Sequence, residues 1–373
     1  MKVLQTPPRF YPYIGGVENF VYYLSKELTK LGHKVKVICA NEPSIGDGII
    51  EGIEVKRLNY IGKIANTNIT LGLPKAIFNE DFDVIHTHLP TPWSADWSAI
   101  VSLIKNKPLF LTYHNDIVGM GVNRYIAKIY NLFSLRFLLK RVHKIFITQK
   151  NYLKTSAFLK PFRNKIVVNP PGVDLDKFKP LNFPKSEDNL IFFLSKLDKF
   201  HFYKGLDYLL LSLKKVIQKI SLKLYVGGEG ELSNYYKELV KKNGLENAVV
   251  FLGRLTDEEL VRFYNLCDIF VLPSISSVQE GFGLVALEAM ACKKPVIVTD
   301  IVGVAEDVKK YNIGIVIGSP KNIEELSEAL KYLLLNKDKC EEMGRNAYNL
   351  VKNKYTWQNH VDILEKEYLK VVR

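Results

Sequence analysis

Two carboxylates, Glu280 and Glu288, bracket the run Gly281-Phe282-Gly283-Leu284-Val285-Ala286-Leu287. An apolar stretch, Asp268 to Pro273, precedes them and has the composition of a buried strand. Ala289-Met290-Ala291 follow and continue as helix. Glu280 is therefore expected in a strand-to-helix loop, and Glu288 about a turn inside the helix. The two glycines let backbone N–H groups approach a ligand at a helix N-terminus, where the dipole favours anions. A carboxylate on each side could accept from the hydroxyls of a sugar and a ribose. The plainer alternative is a helix with one acidic residue at its start and another on its wet face.

Other loops of the second half carry compatible chemistry. A strand ending at Leu194 runs into Ser195-Lys196-Leu197-Asp198, and Lys204-Gly205 then opens a helix. Either lysine could be an ordinary surface residue, but an ammonium beside a helix start is where a diphosphate would be held. Gly227-Gly228-Glu229-Gly230 follows the next strand as a glycine loop permitting close ligand approach, or as a simple turn. Phe251-Leu252-Gly253-Arg254 ends another strand, where a nucleobase could lie along the backbone. Several ligand-type loops ending parallel strands in one domain say more than any one of them.

The first half offers Gly15-Gly16 at the start of a helix running from Val17 to Leu31. It resembles a phosphate-binding turn but lacks the G-x-G-x-x-G spacing. Two polar clusters, His86-Thr87-His88 and Tyr113-His114-Asn115-Asp116, are expected at strand ends. The first two histidines share one side of an extended strand, which allows a metal site. No H-x-x-x-H or H-E-x-x-H spacing supports one, and hydrogen-bonding or acid/base roles fit better. A single long helix is expected from about Asn123 to Lys140. Arg124, Lys128, Arg136 and Lys140 form a basic stripe on it, with Ile126, Ile129, Tyr130, Phe133 and Phe137 on the other side. In the ordinary arrangement the apolar side packs on a sheet and the charges face water. The sharper alternative is contact with anionic lipid headgroups or a phosphorylated acceptor.

The elements that position these residues alternate strand and helix along nearly the whole chain, which implies parallel sheets with helices on both faces. The 373 residues suffice for two domains, and 47% hydrophobic with 24% charged content is normal for a soluble globular chain. Asn169-Pro170-Pro171-Gly172 breaks regular structure and suits a boundary. The net charge of +13 suits phosphorylated substrates or an anionic membrane, and is also a common device for solubility or thermostability. Nucleic acid is not an expected partner, because no finger, RNP-like motif or basic heptad region occurs. No apolar run nears the ~18 residues of a membrane span, and Met1 to Thr6 reads as a first strand rather than a secretory signal. Four scattered cysteines without a C-x-x-C pair fit a reducing cytoplasm and argue against a structural metal.

In order along the chain stand Gly15-Gly16-Val17-Glu18, His86-Thr87-His88, Thr112-Tyr113-His114, Pro171-Gly172-Val173-Asp174, Lys204-Gly205, Gly228-Glu229-Gly230, Val250-Phe251-Leu252-Gly253, and Glu280 with Glu288. Together they resemble the retaining glycosyltransferases of the GT-B fold, the glycogen-synthase and mannosyltransferase-like group (family 4, group 1). The resemblance covers nearly the whole chain. It implies two doubly wound parallel-sheet domains facing across a cleft. Residues 1–170 would be the acceptor-side domain and 171–355 the nucleotide-sugar domain, with 356–373 a helix crossing back to the first.

By position, the resemblance implies that Lys204 holds the donor diphosphate, Glu288 the ribose hydroxyls, and Glu280 the transferred sugar. Phe282-Gly283 would offer backbone donors to sugar or phosphate, with Leu284 next to them in the donor site. Gly228, Gly253 and Arg254 would line the donor, Gly16 would approach the donor phosphate or the acceptor from the other domain, and His114 would contact the transferred sugar. Lys196 stands where the family commonly has arginine, so the charge survives but the bidentate fork does not. The implied reaction moves a hexose from a UDP- or GDP-sugar to a hydroxyl of a glycan, lipid-linked or small-molecule acceptor, with no cofactor beyond the donor and no metal. A sugar-nucleotide epimerase or a phosphorylase would share the fold. An inactive membrane-associated partner would have less reason to keep Lys204, Glu280 and Glu288. The expected location is the cytoplasm, with peripheral attachment to the inner face of the membrane only where the basic helix takes the sharper of its two roles above.

Overall fold

The computed structural model describes residues 1–117, 123–185 and 187–372. The chain divides into two units, Met1–Gly172 together with the segment from Trp357, and Val173–Thr356. The first unit runs β1 (Lys2–Thr6), α1 (Gly16–Lys30), β2 (Lys34–Ala40), β3 (Gly48–Ile50), β4 (Ile53–Leu58), β5 (Lys63–Ile64), β6 (Thr67–Asn68), α2 (Leu73–Phe78) and β7 (Val84–Leu89). It continues with α3 (Pro92–Ile104), β8 (Leu109–Tyr113), α4 (Asn123–Leu132), α5 (Ser134–Arg141), β9 (Lys144–Ile147), α6 (Tyr152–Thr155) and β10 (Ile166–Val168).

The second unit comprises β11 (Leu190–Leu194), α7 (Leu206–Val216), β12 (Lys223–Gly227), α8 (Ser233–Lys242), β13 (Val249–Gly253), α9 (Asp257–Leu266) and β14 (Ile269–Leu272). After these come α10 (Leu284–Ala291), β15 (Val296–Thr299), α11 (Ala305–Lys310), β16 (Gly314–Ile317), α12 (Ile323–Leu335) and α13 (Lys337–Lys354). The last helix, α14 (Trp357–Leu369), belongs to the first unit.

The first sheet has the order β10-β9-β8-β7-β1-β2-β4-β3 and is parallel except at its edge, where β3 runs antiparallel to β4. The second has the order β13-β12-β11-β14-β15-β16, and its pairings are parallel. In the second the order reverses between β11 and β14, so the loops leaving those two strands diverge and leave a crevice at their carboxyl ends. In the first the reversal falls between β1 and β7.

Side chains alternate across each sheet as a period of two requires. In β1, Val3 enters one core cluster and Leu4 the other. In β11, Ile191 and Phe193 face α7, α8 and α12, whereas Leu190 and Phe192 join the cluster of α9, α10 and α13. Burial on both faces explains why these strands read as continuous apolar runs. Helix starts follow local chemistry: Thr256 and Glu259 form a capping box at α9, and Asn322 caps α12. Among the described residues, no helix is long and apolar enough to cross a membrane.

Two expectations are corrected. His86 and His88 do not end a strand; β7 continues to Leu89 and buries both completely. The expected long helix is two helices, broken where Phe133 leaves helical geometry at φ −112° and ψ −69°. Their inner side is also not the expected one. Ala127, Asn131, Leu135, Leu138 and Leu139 are buried, while Ile126, Ile129, Phe133 and Phe137 are exposed. Two hydrogen bonds select that side: Tyr130 donates to Asp96 at 2.9 Å, and the Asn131 amide donates to the Ile117 carbonyl at 3.1 Å.

Candidate functional site

The segments that follow β11 and β14 in the second unit carry most of the expected donor-side residues: Lys196 and Lys204 after β11, and Glu280, Phe282, Gly283, Leu284 and Glu288 after β14. After β11, a short 3-10 turn from Lys199 to Lys204 is capped by Asp198, whose carboxylate accepts from the His201 backbone N–H. The turn delivers Lys204 beside the loop that leaves β14. Gly205 permits this approach. Its φ is +78°, and a Cβ there would lie 2.2 Å from the Pro273 carbonyl oxygen. The Ile275 N–H donates to the Tyr203 carbonyl at 2.8 Å and fastens the two loops together.

Lys204 and Glu280 meet in the crevice between β11 and β14. The Lys204 Nζ donates to Glu280 Oε2 at 2.9 Å and to Oε1 at 3.2 Å, with side-chain exposures of 14% and 2%. The Ser274 hydroxyl donates to Glu280 Oε2, and Thr299 in turn donates to the Ser274 carbonyl at 2.6 Å. Burial alone would pull the Lys204 ammonium down. The Glu280 carboxylate outweighs it, with help from Tyr203, and holds the group above the ordinary lysine value.

Beyond Glu280, Phe282 is buried against Tyr355, and Gly283 is the left-handed residue that opens α10. No side chain caps that helix start. Leu284 is its first residue, and Glu288 lies one turn on, half-buried. The Tyr264 hydroxyl donates to Glu288 Oε2 at 2.6 Å, which favours the carboxylate, but burial dominates and pushes the group up to about 7. Glu288 is thus not the wet-face acid of the plainer alternative.

The glycine loop after β12 closes onto the loop after β11. Gly228 has φ +115°, and a Cβ there would lie 1.8 Å from the Ser195 carbonyl oxygen. This packing of backbone on backbone requires the glycine. Gly253 and the exposed Arg254 end β13, with open space beside Gly253. Lys196 is exposed after β11.

The remaining expected residues belong to the first unit. Gly16 is the exposed first residue of α1. His114 follows β8, with its ring edge-on to Phe20 at 4.7 Å and its Nε2 3.5 Å from His88 Nδ1. His88 also pairs with Gln5 at 2.9 Å, and His86 pairs with Thr112 at 2.8 Å and with Tyr368 of α14. His360 of α14 pairs with the Pro170 carbonyl at 2.8 Å. Burial pushes His114 down to about 3 and His360 to about 4, with His86 and His88 also well below the usual range. These rings are neutral near pH 7, so His114 is a hydrogen-bonding group and not a proton donor there. Among the described residues, no group of three His, Cys, Asp or Glu side chains is placed to hold a metal ion. Arg124 and Lys128 on α4, and Arg136 and Lys140 on α5, are all exposed.

Sequence reasoning missed Ser274, Thr299 and Tyr264, which orient the two glutamates. It also missed the buried ion pair of Arg9 with Glu18 at 2.9 Å beside the start of α1. Only Glu18 carried any signal, as part of the Gly15–Glu18 motif.

Residues 14–177 match the family described as Glycosyltransferase Family 4, and residues 175–350 match Glycosyl transferases group 1. An uncharacterised glycosyltransferase of Methanocaldococcus jannaschii is 30% identical over 99% of this chain and 98% of its own length. The O-antigen chain mannosyltransferase C of Escherichia coli is 27% identical over 97% and 96%. Among solved structures, Anabaena HepE in complex with UDP superposes with a TM-score of 0.79 at 18% identity, over 100% of both chains.

Proposed function

Since the chain belongs to the glycosyltransferases of group 1 and family 4, with two Rossmann-like parallel units as in the GT-B fold, we propose that it transfers a hexose with retention from a UDP- or GDP-sugar to an acceptor hydroxyl. The acceptor is a glycan, a lipid-linked sugar or a small molecule. The Lys204–Glu280 pair at the β11/β14 reversal carries this reading, with the uncapped start of α10 and Glu288 beyond it. UDP in the Anabaena neighbour and mannosyl transfer by the Escherichia coli relative are compatible with it.

In this reading Lys204 and the α10 N-terminus hold the donor diphosphate and stabilise the charge that grows on it. Glu288 accepts hydroxyl hydrogen bonds from the ribose. Glu280, fixed by Ser274, accepts from hydroxyls of the transferred sugar. The acceptor oxygen bonds to the anomeric carbon as the bond from that carbon to the diphosphate oxygen breaks. Attack comes from the face the diphosphate leaves, and the acceptor proton passes to a diphosphate oxygen. Glu280 is not a nucleophile here: it is engaged by Lys204 and Ser274.

Incubation with radiolabelled UDP- and GDP-hexoses tests the proposal. Nucleotide release only when an acceptor is present, with an unchanged anomeric configuration in the product, is the expected result. Nucleotide release without acceptor, accompanied by a changed sugar, would instead identify an epimerase.

A further inference from the structure

The segment from residue 117 to residue 173 holds eleven of the chain's basic residues and none of its acidic ones. Most of the +13 charge therefore originates in one part of the first unit. α4 and α5 lie in this segment, and they turn large apolar side chains outward. Tyr125, Ile126, Ile129, Leu132, Phe133 and Phe137 are all exposed, Ile129 at 63% and Phe133 at 67%. On α4 the spacing of 125, 129 and 132, and of 126 and 129, sets them along one wet side. Arg124, Lys128, Arg136 and Lys140 stand exposed among them. The inner side is already committed, through Tyr130 to Asp96, Asn131 to the Ile117 carbonyl, and buried Leu135, Leu138 and Leu139.

Isolated exposed hydrophobics need no explanation, but a contiguous group ringed by one sign of charge marks an interaction surface. We propose that this face of α4 and α5 docks on an anionic lipid bilayer. The apolar side chains enter the boundary between headgroups and acyl chains, and the four cations lie at the level of the lipid phosphates. Charge complementarity selects this occupant. A second copy of the chain would bring the same cations against themselves, with no carboxylate in the segment to neutralise them.

Sedimentation of the whole protein with vesicles tests the proposal and needs no nucleotide, so it stands or falls independently of the transferase reading. The protein should partition at least tenfold more strongly onto phosphatidylcholine vesicles containing phosphatidylglycerol than onto phosphatidylcholine alone. Arg124→Gln with Lys128→Gln should weaken that partition roughly 30-fold, at about one fivefold step per cation. Ile129→Ser with Phe133→Ser should lower it at least tenfold while leaving thermal unfolding unchanged. Equal partition onto both vesicle types, no partition onto either, or wild-type partition by either variant overturns the proposal. A dimer in solution that the serine variant dissolves, without vesicle binding by the wild type, overturns it as well.

Discussion

Lys204→Met would remove the cation hydrogen-bonded to the Glu280 carboxylate, which is 2% exposed. Breaking a buried pair by deleting one partner costs about 3–5 kcal/mol, because the remaining charge keeps its desolvation penalty. Ser274 still donates to Glu280, so the lower end, about 3 kcal/mol, is expected. For a unit the size of Val173–Thr356 this corresponds to a fall in Tm of roughly 6–12 °C in the transition of that unit. Transfer should fall at least 100-fold, the scale for losing one group that stabilises developing charge. The two effects separate in Lys204→Met/Glu280→Gln. With both charges gone, stability should return to within about 1 kcal/mol of wild type, since a buried pair contributes little net stability. Activity should stay low. Calorimetry of the free protein and donor turnover, measured on the wild type, the single variant and the double variant, provide both readouts. A loss below about 1 kcal/mol in the single variant would show that the pair is not buried as described. Recovery of transfer together with stability in the double variant would refute a direct role for Lys204 on the diphosphate.

Ser274→Ala should lower transfer about tenfold with nucleotide affinity retained, because it loosens Glu280 without touching Lys204; titration calorimetry against initial rates separates the two, and an equal loss in both would count against a positioning role. Nucleotide affinity should weaken as pH falls through about 7, where Glu288 takes up a proton and can no longer accept from both oxygens, and Glu288→Gln should abolish that dependence. The same raised value means that Glu288 opposes folding in full above about pH 7, and that this penalty shrinks as pH falls from there toward the ordinary Glu value of 4.5, so Glu288→Gln should raise Tm at pH 8 and leave it unchanged at pH 4. In the first unit His86, His88, His114 and His360 are all depressed, so the unfolded chain takes up protons first. Their contribution is complete above about pH 6.5 and is lost as pH falls toward 4, by up to about 1.4 kcal/mol per histidine per pH unit. A flat Tm for that unit between pH 7 and 4.5 would contradict the burial of these rings.

The parallel units were legible because strands buried on both faces read as apolar runs and the intervening helices keep their period. The donor-side loops were legible one at a time. What the chain could not display was partnership at a distance. Lys204 and Glu280 stand 76 positions apart, and Ser274 and Tyr264 carry no local motif that assigns them to a glutamate. His86 and His88 looked like strand-end polar residues because polar side chains are rarely fully buried. Their partners, Tyr368 and Gln5, are far along the chain. The α4–α5 region failed for another reason. Apolar residues occur on two sides of it, and periodicity finds an apolar side without saying which one the protein covers.

The return of α14 to the first unit bears on how the chain is made. Trp357, Val361, Leu364 and Tyr368 complete a core whose other members include Val3, Phe10 and Phe20. That core begins at the ribosome first and is sealed last, after the whole of Val173–Thr356 has been synthesised. At roughly 5–20 residues per second the delay is about 10–40 s. Throughout it, the surface destined to receive Tyr368 stands open to other nascent chains and to chaperones. The second unit, contiguous in sequence, needs no residue later than Thr356 to complete its own core. The middle of the chain thus has all of its residues before the beginning has all of its own.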